Sequence, residues 1–493
     1  MAIGSQSNGF GPTSRQSIQA AAGFRLMDER SRIPASSSIR RLAAVLACSL
    51  AVMVAGLSCT SSEPAARHPV FIIGVDGLEW RLVREMLAER QLPNLAALLE
   101  RGRYGQLETM HPSMSPAIWT SIATGVSPRR HGIRTFLKPR GQLYTNRDRR
   151  TKALWNIASE HGRRSHVIGW WMTFPVEPIS GIMVAQVNSS VSGDRQPDAI
   201  YKGGMVSSLE HQVHPPELSQ RMLGIAAEVE ADLNVIADSI FAAPVQPHAD
   251  VATLWKQSLW SVRADATYER VSLEALKVQP DVDLFMVYFG GTDVLGHRFW
   301  RWTYPREFRF PPSAESLAAY GSVMTDYYRY MDEVIGRIVE VAPEDATIIV
   351  ISDHGMGPAN RKSPYDPEAK GTRARSGAHG RTEAFLALAG ANIAPTEPER
   401  DLTRLQPEDV DDLGSIFDVA PTVLALLDLP VGRDMEGKVR SELLDPAFLA
   451  AHPLRYVPTH TPPDWKEARR MPQAQTPAEQ ERLEQLRSLG YIQ

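Results

Sequence analysis

Val70-Phe71-Ile72-Ile73-Gly74-Val75-Asp76-Gly77 is the stretch that decides the fold. Its unbroken apolar run predicts a strand covered on both faces, as in a parallel sheet, and Asp-Gly predicts a turn at its carboxyl end. Three further runs have the same character: Ser165 to Trp170, Asp283 to Phe289 and Thr347 to Ile351. Helical patterning lies between them, from Trp80 to about Arg101 with a break at Pro93-Asn94, from Gln220 to Leu233, and from Ala264 to Leu276. Strands alternating with helices predict an α/β class with a mostly parallel central sheet and helices on both faces. Residues 190–280 lack the strong strand pattern and read as an inserted cap region. Residues 360–378 are polar and rich in Gly, Pro, Lys and Arg, the composition of a long loop.

A chain of 493 residues suits one large α/β domain with insertions. A net charge of −4 with scattered basic clusters, such as Arg147-Asp148-Arg149-Arg150, argues against a nucleic-acid polymer as partner. At the amino end, Arg40-Arg41 precedes an apolar run from Leu42 to Leu57 and then Ser58-Cys59, the layout of a secretory signal. Cys59 stands where a bacterial lipoprotein would be cleaved and lipidated, although Gly56 replaces the usual Leu; ordinary cleavage and an uncleaved anchor are the other readings. Met27 is an alternative start. The expected organisation is a signal or lipoprotein segment at 1–59, a tether at 60–68, a main domain at 69–450, and a tail at 451–493 that is Pro-rich and then helical from about 476 to 489. The expected location is the cell envelope, either periplasmic or anchored to the membrane by a lipid or signal segment. The other cysteine, Cys48, lies inside the signal, so an exported domain has no cysteine pair to form a disulfide.

Open parallel sheets bind ligands at the carboxyl ends of their strands. Asp76 and Asp353 follow two of the proposed strands, and Asp293 follows a third through Gly290-Gly291-Thr292. His297 lies four residues after Asp293, one helical turn, and so on the same face. His354 adjoins Asp353, and His379 lies in Gly377-Ala378-His379-Gly380. Carboxylate oxygens with imidazole nitrogens suit zinc, manganese or iron. Taken singly, each residue also reads as a capping Asp or a surface His. Ser115, followed by Pro116, which suits a first helical turn, is a candidate nucleophile in the field of a helix N-terminus; its other reading is an N-cap. Ser113 is the alternative nucleophile. Phe299-Trp300-Arg301-Trp302, just after His297, is a candidate pocket wall, and Gly169 to Pro175 reads as core at a strand end.

The order of these motifs resembles the type I phosphodiesterase/nucleotide pyrophosphatase family of the alkaline phosphatase superfamily. The likeness spans about Val70 to Leu444, from Gly74-Val75-Asp76-Gly77 through Ser115-Pro116, Thr124-Gly125-Val126-Ser127-Pro128, His131-Gly132-Ile133, Asp293-x-x-x-His297, Ser352-Asp353-His354-Gly355 and Gly377-Ala378-His379-Gly380 to Asp418-Val419-Ala420-Pro421-Thr422-Val423 and Met435-Glu436-Gly437. The resemblance implies an alkaline-phosphatase-like three-layer sandwich and two divalent metal ions, zinc in the first instance. Asp76, Ser115, Asp353 and His354 would surround one ion, and Asp293, His297 and His379 the other. Ser115 takes the place of a Thr usual in eukaryotic members. Those members also carry an Asn shortly after His-Gly-Ile; Phe136 stands there here, with Asn146 or a residue of the inserted region as a replacement.

The expected activity is hydrolysis of a small phosphate ester, most simply a phosphodiester, through a phosphoseryl intermediate on Ser115. A phosphomonoesterase is the neighbouring alternative. A sulfatase is disfavoured because Ser115-Pro116-Ala117-Ile118-Trp119 lacks the Arg of the formylglycine context. A non-catalytic metal-containing envelope protein is the alternative of another class.

Overall fold

The computed structural model describes residues 68–136, 138–139, 144–186, 204–205, 210–241, 255–256, 258–364, 376–380, 383–394 and 400–465. The expected signal segment, nearly all of the tether and the expected tail helix lie outside these residues. The strands are β1 (Val70–Val75), β2 (Gly102–Glu108), β3 (Ser165–Ile168), β4 (Gly181–Val184), β5 (Val213–His214), β6 (Leu284–Phe289), β7 (Thr347–Ile351), β8 (Gly357–Pro358), β9 (Gly377–Ala378), β10 (Ala384–Ala389), β11 (Asp411–Ser415), β12 (Val431–Gly432) and β13 (Tyr456–Val457). Nine of them form one sheet in the order β11-β2-β10-β7-β1-β6-β3-β4-β5. The central run β7-β1-β6-β3-β4 is parallel, while β10 is antiparallel to both β7 and β2.

All six residues of β1 are buried, and alternate side chains enter two separate apolar layers. Phe71, Ile73 and Val75 face one layer, which holds α1 (Trp80–Ala88) and α2 (Pro93–Glu100). Val70 and Ile72 face the other, which holds α3 (Ser115–Thr124). Further along the chain, α4 (Ser219–Ile240), α5 (Leu259–Val278), α6 (Gly291–Thr303) and α7 (Val323–Val341) join the first layer, and α8 (Val419–Leu426) the second. This is the three-layer α/β arrangement, and it explains the absence of polar alternation in the central strands. Within 190–280 the described residues supply the edge strand β5 and the helices α4 and α5, and α5 buries Val262, Val271 and Ala275 against the sheet layer. No helix among the described residues is long and apolar enough to cross a membrane.

Register places the site. Gly74 of β1 lies opposite Tyr288 of β6 and Ile351 of β7. Asp76 and Asp353, each two residues further on, therefore emerge at the same edge. The stacked rings of Phe71 and Phe285, 5.0 Å apart, bind β1 to β6 beneath that edge. Phe285→Ala is expected to cost about 3–5 kcal/mol of unfolding free energy in urea titration; a loss under about 1 kcal/mol would show that this layer can repack.

Candidate active site

Asp76 is 1% exposed, and Asp353 and His354 are fully buried. The Asp76 N–H donates to the Phe289 carbonyl at 2.9 Å, continuing the β1–β6 ladder past the strand end. Gly77 then turns with φ +68°, and a Cβ there would lie 3.1 Å from the Cα of Asp293, so glycine admits the second acidic element. The Gly77 N–H points to Asp353 Oδ1 at 3.4 Å, and the Thr292 hydroxyl donates to the Asp76 carbonyl.

Asp293 and His297 share one face of α6, as the four-residue spacing predicts, with His297 Nε2 3.3 Å from Asp293 Oδ1. His379, which follows β9, brings Nε2 to 3.2 Å from that same oxygen and 2.9 Å from His297 Nε2. His354 Nε2 lies 3.5 Å from Asp76 Oδ1 and 3.4 Å from Asp353 Oδ2. Its ring stacks on His379 at 3.6 Å, so His354 joins the two halves: its nitrogen groups with Asp76 and Asp353, and also with Asp293 and His379. The three carboxylates and three imidazoles among the predicted ligands thus converge.

The start of α6 is held from another helix. Buried Asp265 of α5 accepts the Gly290 and Gly291 N–H groups at 2.9 and 2.8 Å and the Tyr327 hydroxyl at 2.8 Å. A carboxylate at a helix N-terminus is favoured by the aligned peptide dipoles. No local pattern in the sequence marks Asp265 for this role, because its partners lie on α6 and α7.

The protonation pattern suits a cation. Each of the three imidazoles sets Nδ1 against a backbone carbonyl: His297 on Gly377 at 2.9 Å, His379 on Ser113 at 2.9 Å and His354 on Gly355 at 3.0 Å. A carbonyl can only accept, so Nδ1 carries the proton and the Nε2 lone pairs turn inward. Asp76 Oδ1, Asp293 Oδ1, Asp353 Oδ2 and His354 Nε2 are buried without a hydrogen bond. Oxygen and nitrogen ligands of a tetrahedral zinc stand about 3.3 Å apart, given bonds of about 2.0–2.1 Å. The spacings of 3.2 to 3.5 Å between carboxylate oxygens and Nε2 atoms match this. The residues fit a divalent metal, as the resemblance implied.

Without a cation the charges conflict. Burial, then the Asp293 charge, pushes the Asp76 carboxyl up to about 7. Burial and then Asp76 raise Asp353 well above the carboxylate range. Burial would raise Asp293 too, but His297 and His379 hold it low. Burial, then His379, lowers His354; burial would lower His379 too, but Asp293, Asp76 and the Ser113 carbonyl together outweigh it and raise it.

Ser115 is the first residue of α3 and is buried; Met114 holds the cap position, so the serine is not an N-cap. Pro116 has no N–H, and Ala117 spends its own on Met114, so the helix end offers its dipole more than a cradle of donors. Trp119, one turn on and on the same face, donates its indole N–H to Asp76 Oδ2 at 3.1 Å. The Ser113 hydroxyl turns back to Met110 O at 3.1 Å and His111 Nδ1 at 3.3 Å.

Two expectations change at this site. Phe299, Trp300, Arg301 and Trp302 are all buried and do not form a pocket wall. The three aromatic residues pack into the apolar layer, while Arg301 donates to Phe310 O at 2.6 Å. The Asn146 side chain donates to Pro175 O, which ties it to the loop after β3, and Phe136 packs against Trp171 with ring centroids 5.9 Å apart.

The far end of α3 is fixed as well. His131 accepts the Ile133 N–H on Nδ1 at 3.1 Å, so Nε2 donates to Ser121 Oγ at 3.0 Å. Glu436 N–H donates to Gly125 O at 2.8 Å.

Asp265→Ala leaves three donors without their partner, two of them buried, and is expected to cost about 2–3 kcal/mol in urea unfolding. Burial, then the Arg149 charge, lowers the pKa of His131 from 6.5 to about 3. Its stabilising contribution is therefore complete above pH 6.5 and is lost as pH falls toward 3, at up to about 1.4 kcal/mol per pH unit. His131→Gln is expected to flatten unfolding free energy against pH by about one proton between roughly pH 4 and 6. An unchanged slope would show that His131 is not the group taking up that proton.

A family model described as type I phosphodiesterase / nucleotide pyrophosphatase matches residues 70–414. No curated protein matches the chain. Similar solved structures include murine ectonucleotide pyrophosphatase / phosphodiesterase 5, at 12% identity and TM-score 0.44, and the wild-type alkaline phosphatase PafA, at 12% identity and TM-score 0.48. Each comparison covers 77% of this chain and 100% of the other. With the family model spanning more than two thirds of its length, this chain belongs to the type I phosphodiesterase/nucleotide pyrophosphatase family of phosphoric ester hydrolases.

Proposed function

We propose that the protein is a two-metal phosphodiesterase in which Ser115 is the nucleophile. The observation that carries this reading is the inward convergence of lone pairs: three Nε2 atoms and three carboxylates brought within 3.5 Å of them, at the edge where α3 begins. Asp76, Asp353 and His354, with Ser115, would hold one divalent ion, and Asp293, His297 and His379 the other. Such ions, zinc in the first instance, lower the pKa of an attacking oxygen and offset charge on the phosphoryl group.

The chain's own residues supply the rest. The dipole of α3 favours the Ser115 alkoxide, and its proton passes to solvent. Ser115 Oγ forms a bond to phosphorus as the ester P–O bond on the opposite side breaks, and the leaving alkoxide takes a proton from water. Water then attacks the phosphoserine, restoring Ser115 and releasing the second product. The side chains of Asp293, His297 and His379 are 14–19% exposed, while those of Asp76, Asp353 and His354 are at most 2% exposed. Substrate therefore approaches from the Asp293 side, and water is kept from the other half. Phe136 offers no amide to a phosphoryl oxygen, which is why the proposal stops at diesters and names no nucleotide.

The test is a panel of nitrophenyl phosphodiester, phosphomonoester and sulfate substrates. Wild type is expected to prefer the diester, to lose activity on chelation and regain it with zinc, and Ser115→Ala to lose about 10³-fold or more in kcat. Turnover of the monoester or sulfate alone, or a fully active Ser115→Ala, would overturn the assignment. Export to the envelope is proposed from Arg40 to Cys59; intact mass of the mature protein should show a lipidated Cys59 at its amino end, and an unmodified start at Met1 would refute it.

A further inference from the structure

Asp76 Oδ2 accepts two hydrogen bonds, from Trp119 Nε1 at 3.1 Å and from the Tyr288 hydroxyl at 2.7 Å. A carboxylate oxygen has two in-plane lone pairs, so both are spent. Oδ1 has no hydrogen bond and faces His354 Nε2 at 3.5 Å. The two donors come from different elements, the nucleophile's helix α3 and the strand β6.

Neither donor is free to leave. The Trp119 ring stands edge-on between Trp170 at 5.0 Å and Tyr288 at 5.2 Å. Trp170 donates its indole N–H to the Trp119 carbonyl at 3.3 Å. Gly74 of β1 makes the room, because a Cβ there would stand 2.8 Å from the Trp119 ring. Tyr288 is fixed beside Gly74 by the β1–β6 register. Trp119 and Ser115 lie one turn apart on a wholly buried helix. The indole N–H therefore joins the proposed nucleophile to the proposed ligand as one rigid piece.

We infer that Trp119 and Tyr288 are positioning residues that hold Asp76 as a one-oxygen ligand and lock the Ser115 helix to it. The inference rests on the two-metal reading above. Outer partners of this kind set the orientation of a ligand, and their loss typically weakens metal binding about 10–100-fold. Without them Asp76 turns to chelate through both oxygens or swings toward Asp293, and Ser115 loses its fixed distance to the site.

The experiment compares wild type, Tyr288→Phe, Trp119→Phe and Ser115→Ala. Tyr288→Phe keeps the ring and removes only the hydroxyl, so it retains the aromatic packing if Trp119→Phe does not fold. Zinc affinity is measured on metal-free protein by competition with a chromophoric chelator, and kcat and KM are measured on a nitrophenyl phosphodiester. Tyr288→Phe is expected to bind zinc about tenfold more weakly, with kcat lowered at zinc saturation and KM little changed. Ser115→Ala is expected to lose turnover and keep most of its zinc affinity, as one weak ligand among several. Wild-type zinc affinity and wild-type kcat in Tyr288→Phe, with only a lower melting temperature of the metal-free protein, would show that the hydroxyl is a structural partner and would overturn the inference while leaving the two-metal reading intact. A wild type that binds no zinc, manganese or iron would remove that reading and the inference together.

Discussion

Asp76 and Asp353 are buried at one sheet edge with the half-buried Asp293 beside them, and the rest of the architecture answers to that constraint. Carboxylates this close cannot all ionise in a medium of low dielectric unless positive charge lies among them. Among the described residues, the molecule sets no lysine or arginine in ion-pair contact with them. It supplies three imidazoles instead, each with its outer N–H engaged by a backbone carbonyl and its inner lone pair turned to the carboxylates. Imidazoles held this way add donor atoms to the site without adding charge. The result is a set of candidate ligands whose charges conflict in the bare protein and would be reconciled by a cation.

The scaffold around the site is rigid where this requires it. Three adjacent parallel strands set Asp76 and Asp353 at one level, and the turn after β6 brings Asp293 against Gly77. The helix that carries Ser115 is pinned at its middle by Trp119 on Asp76 and at its far end by His131 and Glu436 around Ser121 and Gly125. The motifs Met435-Glu436-Gly437 and His131-Gly132-Ile133 therefore act on the site from behind, through the orientation of α3. Asp265 does the same for α6 from a helix about 25 residues earlier in sequence. Rigid placement of the groups about a metal pair is what in-line displacement at phosphorus requires, because misplacement by an ångström is costly in rate.

Much of the fold was legible because central parallel strands are buried on both faces and so read as unbroken apolar runs. β1, β3, β6 and β7 lie where those runs are. The sheet's other half was not legible. β2, Gly102-Arg103-Tyr104-Gly105-Gln106-Leu107-Glu108, mixes glycine and polar residues, and β11 is a polar edge strand. Ala384-Phe385-Leu386-Ala387-Leu388-Ala389 has the composition of a helix and becomes β10 only because β7 and β2 pair with it on either side. Phe299 to Trp302 were misjudged because nearness to His297 in sequence says nothing of which way a helical side chain points; these residues project into the core.

By itself the sequence determined where the candidate ligands stand, at strand ends and on one helical face, because a strand end and a helical turn are local geometries that residue order controls. It also set the start of α3 near Ser115-Pro116, since proline favours a first turn, while the structure put the cap at Met114. Only the tertiary structure decided that His354 stands between the two halves, that one half is sealed and the other open, and that Trp119 and Tyr288 close off one oxygen of Asp76. Those features arise from contacts between residues up to 278 positions apart, such as His354 and Asp76. No local pattern encodes which donor a folded chain will bring to which lone pair.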